Sequence, residues 1–164
     1  PTHEQVSHEL VKVIPVTSAK DMYDAVHNHF ESVNVAILSA AVADFRPKEV
    51  ANQKIKKKSS TLTLELEKTK DILASLGEIK KTQYLVGFAL ETNNEIENAK
   101  EKLKRKNLNL IVLNSLNDKG AGFKSDTNKV TFIDDNEVIT TFKLKSKAEV
   151  AIDLLNKIRS HIDA

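Results

Sequence analysis

One stretch, residues 34–47, constrains the fold more strongly than any other part of the sequence. Its four consecutive apolar residues, 35–38, are typical of a strand that is covered on both faces, as in a parallel sheet. Small residues follow at 39–43, and an anion, an aromatic ring, a cation and a proline occupy 44–47. Ligands of open α/β sheets bind beyond the carboxyl ends of the strands, so this junction is the first candidate site. A buried strand that runs into a polar turn would explain the same residues.

Composition limits the function classes. The chain has 164 residues, 40% hydrophobic and 29% charged, which suits one domain with a sizeable core. A net charge of +2 does not predict general affinity for nucleic acid. The absence of cysteine excludes disulfides, thiol nucleophiles and zinc–thiolate sites. We see neither a membrane-length apolar run nor a signal peptide, and therefore expect a cytoplasmic protein. The start at Pro1 suggests a piece of a longer polypeptide.

Strand and helix patterns alternate along the chain and predict an α/β fold. It would be Rossmann-like, with a mainly parallel sheet, helices on both faces and an antiparallel C-terminal hairpin at one edge. Residues 48–67 are predicted to leave the main sheet and could serve as a flap. Strands are predicted at 9–16, 33–40, 61–67, 84–90, 108–113, 130–133 and 138–144; helices are predicted after Thr17 or Ser18, at 70–80 after Thr69, at 95–106 and after Ser146.

Two groups of lysines are candidates for binding phosphate. Lys54, Lys56, Lys57 and Lys58 fall within five residues, beside a strand whose edge they could protect from aggregation. Lys102 and Lys106 are four apart on one predicted helix face, where the helix dipole also favours cations. Ammonium groups bind phosphate oxygens as point charges, so both groups also fit a polyphosphate site.

Several familiar sites are not predicted. No G-x-G-x-x-G follows a strand, which disfavours a nicotinamide-dependent oxidoreductase, and no G-x-x-x-x-G-K-[ST] is present. The five histidines lie in the N-terminal part or at the extreme C-terminus, and two of them, His27 and His29, fall on different helix faces. They do not predict a metal site or a general base.

Six ordered motifs identify a family. They are Ala40-Ala-Val-Ala-Asp-Phe-Arg-Pro47, Lys54-Ile-Lys-Lys57, Asp71-Ile72, Val86-Gly-Phe-Ala-Leu-Glu-Thr92, Lys102-Leu-Lys-Arg-Lys-Asn-Leu108 and Gly122-Phe-Lys-Ser-Asp-Thr-Asn128. Together they resemble the phosphopantothenate–cysteine ligase domain of the bacterial coenzyme A biosynthesis bifunctional proteins, over most of residues 10–162. The Gly-rich strand–loop–helix that opens the family domain is absent, so we expect a single CTP-binding ligase domain over 1–164 that is N-terminally incomplete.

The resemblance implies a two-step ligation. The carboxylate of 4′-phosphopantothenate attacks CTP and releases pyrophosphate, and the amine of L-cysteine then displaces CMP from the acyl-cytidylate. Lys54 corresponds to the catalytic flap lysine of the family. The correspondences to nucleotide-binding positions are Leu38, Ser39, Ala40, Asp44, Lys54, Thr69, Lys70, Asp71, Ile72, Phe88, Lys102 and Lys106. Thr69 and Lys70 stand where the family motif N-P-D-I has Asn and Pro.

The resemblance also implies partners and cofactors. Mg²⁺ would accompany CTP, and FMN would belong only to a decarboxylase domain upstream of this chain. A homodimer is expected, with the C-terminal hairpin as a joining edge, and neither nucleic acid nor a membrane is expected as a partner. The alternative from another class is a non-enzymatic nucleotide- or nucleic-acid-binding module that uses the Lys54–Lys58 arm.

Overall fold

The structure is a computed structural model that describes residues 8–49, 51–56, 60–115 and 125–163. These residues form four helices and nine strands. In chain order the elements are α1 Ala19–Phe30, β1 Val35–Leu38, β2 Phe45–Pro47, β3 Leu66–Lys68, α2 Ile72–Ile79, β4 Tyr84–Glu91, α3 Glu95–Arg105, β5 Leu110–Ser115, β6 Thr127–Asn128, β7 Val130–Asp134, β8 Ile139–Thr141, β9 Lys145–Ser146 and α4 Lys147–Ile162. The chain divides into two compact units, residues 1–29 with 42–70 and residues 30–41 with 71–164.

A five-stranded sheet with the order β1-β4-β5-β7-β8 is the frame of the second unit. Strands β1, β4 and β5 are parallel, and β7 and β8 continue the sheet in antiparallel fashion. The predicted fold class, with its parallel core strands and its C-terminal hairpin, is therefore confirmed. The register pairs Leu38 with Gly87 and Glu91 with Ser115, so the carboxyl ends of β1, β4 and β5 lie along the same edge of the sheet.

Helices cover both faces of this sheet. Alternate residues of β4, β5 and β7 pack against Val150, Leu154 and Ile158 of α4 and form the core on one face. On the opposite face Leu73 of α2 lies against Gly87, whose missing side chain lets the helix approach. Each large apolar side chain buried in this way contributes about 1.5–3 kcal/mol, so the sheet and its helices form a well-packed scaffold.

The first unit contains a separate two-stranded sheet. Strands β2 and β3 pair in antiparallel fashion, and ion pairs flank the pairing: Arg46 Nη2 lies 2.7 Å from Glu67 Oε1 and Lys48 Nζ lies 2.8 Å from Glu65 Oε1. The predicted excursion from the main sheet at residues 48–67 agrees with this pairing, since the chain leaves after β2 and returns in β3.

Predicted helix caps are confirmed at two helices. The Ser18 hydroxyl accepts a hydrogen bond from the Asp21 N–H at the start of α1. Ser146 caps α4 in a capping box, in which the Glu149 carboxylate accepts a hydrogen bond from the Ser146 N–H. Such a cap stabilises a helix by about 1 kcal/mol because it satisfies backbone donors that lack a partner within the helix.

Four local predictions are wrong. Residues 9–16 do not form a strand, because strand propensity alone cannot replace a hydrogen-bonded neighbour and no described strand pairs with them. The strand expected at 61–67 is reduced to Leu66–Lys68. The N-cap of α2 is Asp71 and not Thr69. The sequence pattern places Ile152 and Leu155 on the apolar side of α4 with Val150, Leu154 and Ile158, but both side chains are exposed. Lys57, Lys58 and residues 117–124 of the predicted loop lie outside the described residues.

Candidate functional site

The candidate site lies at the carboxyl edge of the parallel strands in the second unit. Leu38 ends β1 and is half-buried, and the exposed Ser39 and Ala40 follow it directly. The adjacent strand β4 ends with Glu91 three residues after Phe88. Since side chains alternate along a strand, Phe88 and Glu91 come off opposite faces of the sheet. The site therefore has one part on each face.

An apolar cleft of about 540 Å³ forms the part on the face covered by α4. Its polar end contains a pair of amides, in which Asn128 Nδ2 donates to Asn114 Oδ1 at 2.9 Å. Apolar walls with a few convergent polar groups are typical of small-molecule sites. The lining residues are Ile37, Ser39, Phe88, Leu90, Asn114, Asn128, Lys147, Val150, Ala151, Leu154 and Leu155. Two predicted site residues, Ser39 and Phe88, thus line the same cleft.

Lys102 is held at the end of β4 on the opposite face. Its ammonium lies 2.5 Å from Glu91 Oε1, and Asn98 Nδ2 donates to Glu91 Oε2 at 3.3 Å. Asn98 and Lys102 are four residues apart and so share a face of α3. The Lys102 side chain is 37% exposed and that of Glu91 is 12% exposed, so the cation is the outward member of the pair.

Lys106 has the reverse arrangement. Its ammonium lies 2.8 Å from Asp71 Oδ2, with the lysine side chain 16% exposed and the aspartate side chain 50% exposed. The other Asp71 oxygen accepts the Ala74 N–H at 3.0 Å and caps α2. Burial raises the pKa of Asp71, but the Lys106 ammonium and the Ala74 N–H outweigh burial and hold that pKa below its usual range. Lys106 therefore joins the end of α3 to the start of α2.

A close approach of α2 to the end of α3 sets the position of Lys106. Asn107, with φ of 51°, donates from Nδ2 to the Gly77 carbonyl at 2.9 Å. A Cβ at Gly77 would lie 2.0 Å from the Lys106 carbonyl oxygen, so only glycine fits there. Ile72, the first residue of α2, is buried and does not expose its side chain to a ligand.

Four predicted site residues belong to the first unit. The Asp44 carbonyl accepts the Thr69 N–H at 2.9 Å, next to the β2–β3 pairing. The Lys70 ammonium lies 4.6 Å from the ring centroid of Tyr23, a distance at which a cation is attracted to an aromatic face. Lys54 is exposed, as Asp44 is.

The described residues contain no group of three or more His, Cys, Asp or Glu side chains that could hold a metal ion. No helix in the described ranges is both long and apolar enough to cross a membrane.

Residues 1–162 match the family described as the DNA/pantothenate metabolism flavoprotein C-terminal domain. The chain belongs to this family. The ligase-domain resemblance carried by the six motifs is thereby confirmed.

Two curated relatives and one solved structure support the assignment to this C-terminal domain family. A cysteine/cysteine sulfinic acid decarboxylase of an unknown prokaryotic organism is 52% identical over 93% of this chain and 43% of the relative. The coenzyme A biosynthesis bifunctional protein CoaBC of Bacillus subtilis is 46% identical over 91% of this chain and 37% of the relative. The crystal structure of a CoaBC C-terminal domain superposes with a TM-score of 0.75 at 39% identity, covering 92% of this chain and 65% of that one. The chain thus spans about two fifths of the curated relatives it matches.

Sequence reasoning gave no role to several residues of this family member's site. Glu91 and Asn128 occur only within the family motifs, with no role of their own, and Asn98 and Lys147 fall outside those motifs. The four-residue spacing of Asn98 and Lys102, directly after a strand that ends in a carboxylate, was the available signal for the first pair. Asn128 and Lys147 meet the cleft through tertiary packing that no local pattern encodes.

Proposed function

We propose that this domain joins 4′-phosphopantothenate to L-cysteine in a CTP-dependent ligation within coenzyme A biosynthesis. Membership of the pantothenate-metabolism family and the name of the Bacillus relative support the pathway. The observation that carries the proposal is the position of the Lys102 ammonium. This ammonium is paired with the mostly shielded Glu91 carboxylate at the carboxyl edge of three parallel strands. Ligands of open α/β sheets bind at this edge, and an outward cation there suits the phosphates of a nucleotide.

The proposed reaction has two steps. A carboxylate oxygen of 4′-phosphopantothenate attacks the α-phosphorus of CTP, and the bond to the β-phosphate oxygen breaks to release pyrophosphate. The cysteine nitrogen then attacks the acyl carbon, CMP leaves with the bridging oxygen, and the nitrogen loses a proton as the amide forms. The substrates supply both nucleophiles, so the protein has to position them and neutralise charge.

Different residues would serve different parts of the nucleotide. Lys102 and Lys106 would neutralise phosphate oxygens, and Phe88 offers a flat apolar wall to the nucleoside. The other nucleotide-binding residues of this proposal are Leu38, Ser39, Ala40, Asp44, Thr69, Lys70, Asp71 and Ile72. The structure favours a shared cleft for Ser39 and Phe88, since both line the same cavity.

Magnesium enters this proposal as part of the substrate, Mg·CTP. Mg²⁺ retains several waters and is commonly bound through substrate phosphates with one or two carboxylates, so a three-ligand protein cage is not needed. The exposed carboxylates of Asp44 and Asp71 are of the type that hard cations prefer.

Lys54 is the proposed catalytic lysine of the flap, residues 48–67. A flap lysine would add positive charge where the pentavalent phosphorus develops negative charge. Closure would also exclude water, which would otherwise hydrolyse the mixed anhydride. The proposed assembly is a homodimer joined through the β7–β8 hairpin. The alternative of a non-enzymatic module that uses the Lys54–Lys58 arm is not favoured by the family assignment.

Pyrophosphate and CMP release by the protein that carries this chain would test the function. With Mg·CTP and 4′-phosphopantothenate, pyrophosphate should form without cysteine, and CMP should follow when cysteine is added. ATP, GTP and UTP serve as controls for base selectivity. Carbon dioxide release from cysteine alone is a further control, because one relative is named as a decarboxylase. Absence of nucleotide-dependent pyrophosphate, together with no thermal stabilisation by CTP, would overturn the proposal.

A further inference from the structure

We infer that Glu91 is a positioning residue that fixes the Lys102 ammonium at the carboxyl edge of β4 for the nucleotide phosphates. This inference rests on the proposed function. Each oxygen of the Glu91 carboxylate has its own donor, Lys102 Nζ at 2.5 Å and Asn98 Nδ2 at 3.3 Å. Asn98 Nδ2 also donates to the Asn93 carbonyl at 2.9 Å. The carboxylate is thus anchored to the helix that carries the lysine.

The burial of the pair shows which member is fixed. Glu91 is the last residue of a central strand and its side chain is 12% exposed, whereas that of Lys102 is 37% exposed. The Glu91 carboxylate is mostly shielded from solvent, so losing its cation would be unfavourable, and Glu91 therefore keeps Lys102 beside it. An ammonium has three N–H donors, and Glu91 takes one. Two donors remain for phosphate oxygens while the pair stays intact.

The second lysine–carboxylate pair contrasts with the first. At Lys106 the ammonium is the buried member and Asp71 the exposed one, and Asp71 also caps α2. A phosphate would meet the exposed Asp71 carboxylate before it reached that ammonium. Glu91 lies behind its lysine, so it orients the cation without standing between it and an anion.

The substitution Glu91→Gln tests this role with little change in shape. Gln keeps an oxygen that can accept from Lys102, but its NH₂ opposes the NH₂ of Asn98, and the charge attraction is lost. We expect calorimetry to show CTP binding about fivefold weaker, as for the loss of one charge-assisted contact. Glu137→Gln is the matched control, because Glu137 pairs with Lys100 and Lys104 on the same helix and the charge change is identical. It should leave CTP affinity within about twofold.

A double-mutant cycle separates positioning from general damage. In a Lys102→Ala background, Glu91→Gln should cause no further loss of CTP affinity, because the residue acts through the lysine. It should also raise the thermal midpoint of that background, since the mostly shielded carboxylate left without its cation is removed. An equal affinity loss with and without Lys102 would overturn the inference.

A measurement without nucleotide completes the test. Nitrogen relaxation of the Lys102 ammonium should show restricted motion in the wild-type chain and greater motion in Glu91→Gln, with Lys104 as the internal reference. Equal mobility in the two proteins, or tighter CTP binding by Glu91→Gln, would overturn the positioning role alone. Failure of the wild type to bind either CTP or inorganic tripolyphosphate would overturn the proposed function, and this inference with it.

Discussion

At the scale of single residues, the two lysines at the end of α3 have different environments despite their regular spacing. Lys102 is paired with a glutamate less exposed than itself, whereas Lys106 is less exposed than the aspartate with which it pairs. Free ammonium surface favours phosphate binding, and a buried ion pair favours the packing of the elements that it joins. The two positions should therefore contribute unequally to nucleotide affinity.

The first prediction compares alanine at these lysines. Lys102→Ala should weaken CTP binding by about tenfold, the cost of a charge-assisted contact of about 1.5 kcal/mol. Lys106→Ala should weaken binding less, because the Lys106 ammonium is the less exposed of the two, and should lower the free energy of unfolding, because its ion pair between α3 and α2 is lost. The affinity loss should shrink at high salt. Calorimetry and urea unfolding measure the two effects, with Lys104→Ala as the exposed control; equal affinity for wild type and both variants would rule out phosphate binding by these lysines.

The second prediction concerns Lys54, which is exposed. Lys54→Ala should slow pyrophosphate release by at least about a hundredfold, as when one donor that stabilises transition-state charge is removed. CTP affinity should stay within about twofold, because the contribution is made during the reaction rather than on binding. Single-turnover rates and calorimetry distinguish these effects, and Lys56→Ala is the control two residues away. Wild-type turnover by Lys54→Ala would contradict a catalytic lysine.

At the scale of elements, the strongest sequence patterns gave the most accurate predictions. Strand β4 and helices α1, α3 and α4 formed close to their expected bounds, because long periodic apolar patterns leave few alternative packings. The strand predicted at residues 9–16 did not form, because an alternating pattern is typical of a strand but does not provide a neighbouring strand for hydrogen bonding. Thr69 and Asp71 are both cap-forming residue types, and only the bond from Ala74 N–H to Asp71 decides between them.

The sequence predicts some features of the candidate site and not others. Its location at the strand ends was predictable, because parallel strands place their carboxyl ends at one edge. Phe88 and Glu91 are three residues apart in β4, so strand alternation places their side chains on opposite faces of the sheet. Lys102 lies on the Glu91 face because it pairs with that carboxylate. The opposite exposure of Lys102 and Lys106 relative to their partners could not be predicted, since it depends on tertiary contacts such as those between the end of α3 and α2.

The third prediction tests the contact between α2 and the end of α3. Gly77→Ala should lower the free energy of unfolding by about 1–3 kcal/mol, because the new Cβ meets the Lys106 carbonyl and backbone cannot move aside cheaply. Helix propensity favours alanine by about 1 kcal/mol and acts in the opposite direction. Gly87→Ala is the matched control, since its Cβ meets the side-chain ends of Leu73 and Leu108 and should cost less. A Gly77→Ala variant at least as stable as wild type would refute the contact.

At the scale of the whole molecule, hydrogen bonds and ion pairs to carboxylates make folding sensitive to acid. In the described residues five carboxyl groups have lowered pKa values: Asp21, Asp71, Asp134, Glu137 and Glu149. Hydrogen bonds from Thr17 and Ser18 lower the pKa of Asp21 to about 2. A lowered folded-state pKa means that the unfolded chain binds more protons in acid, so stability falls as pH falls.

The fourth prediction isolates Glu137 within this acid response. Hydrogen bonds from Lys104 and Lys100 lower its pKa from 4.5 to about 2. Its contribution is therefore present above pH 4.5 and is lost as pH falls towards 2. Glu137→Gln should be less stable than wild type near about pH 6, and most of the difference should disappear near about pH 2, where about half of the folded wild-type carboxyls are protonated. Urea unfolding midpoints across this range provide the measurement. Parallel curves for the two proteins would mean that the ion pairs of Glu137 do not contribute, and the acid response would then have to come from the other four carboxylates.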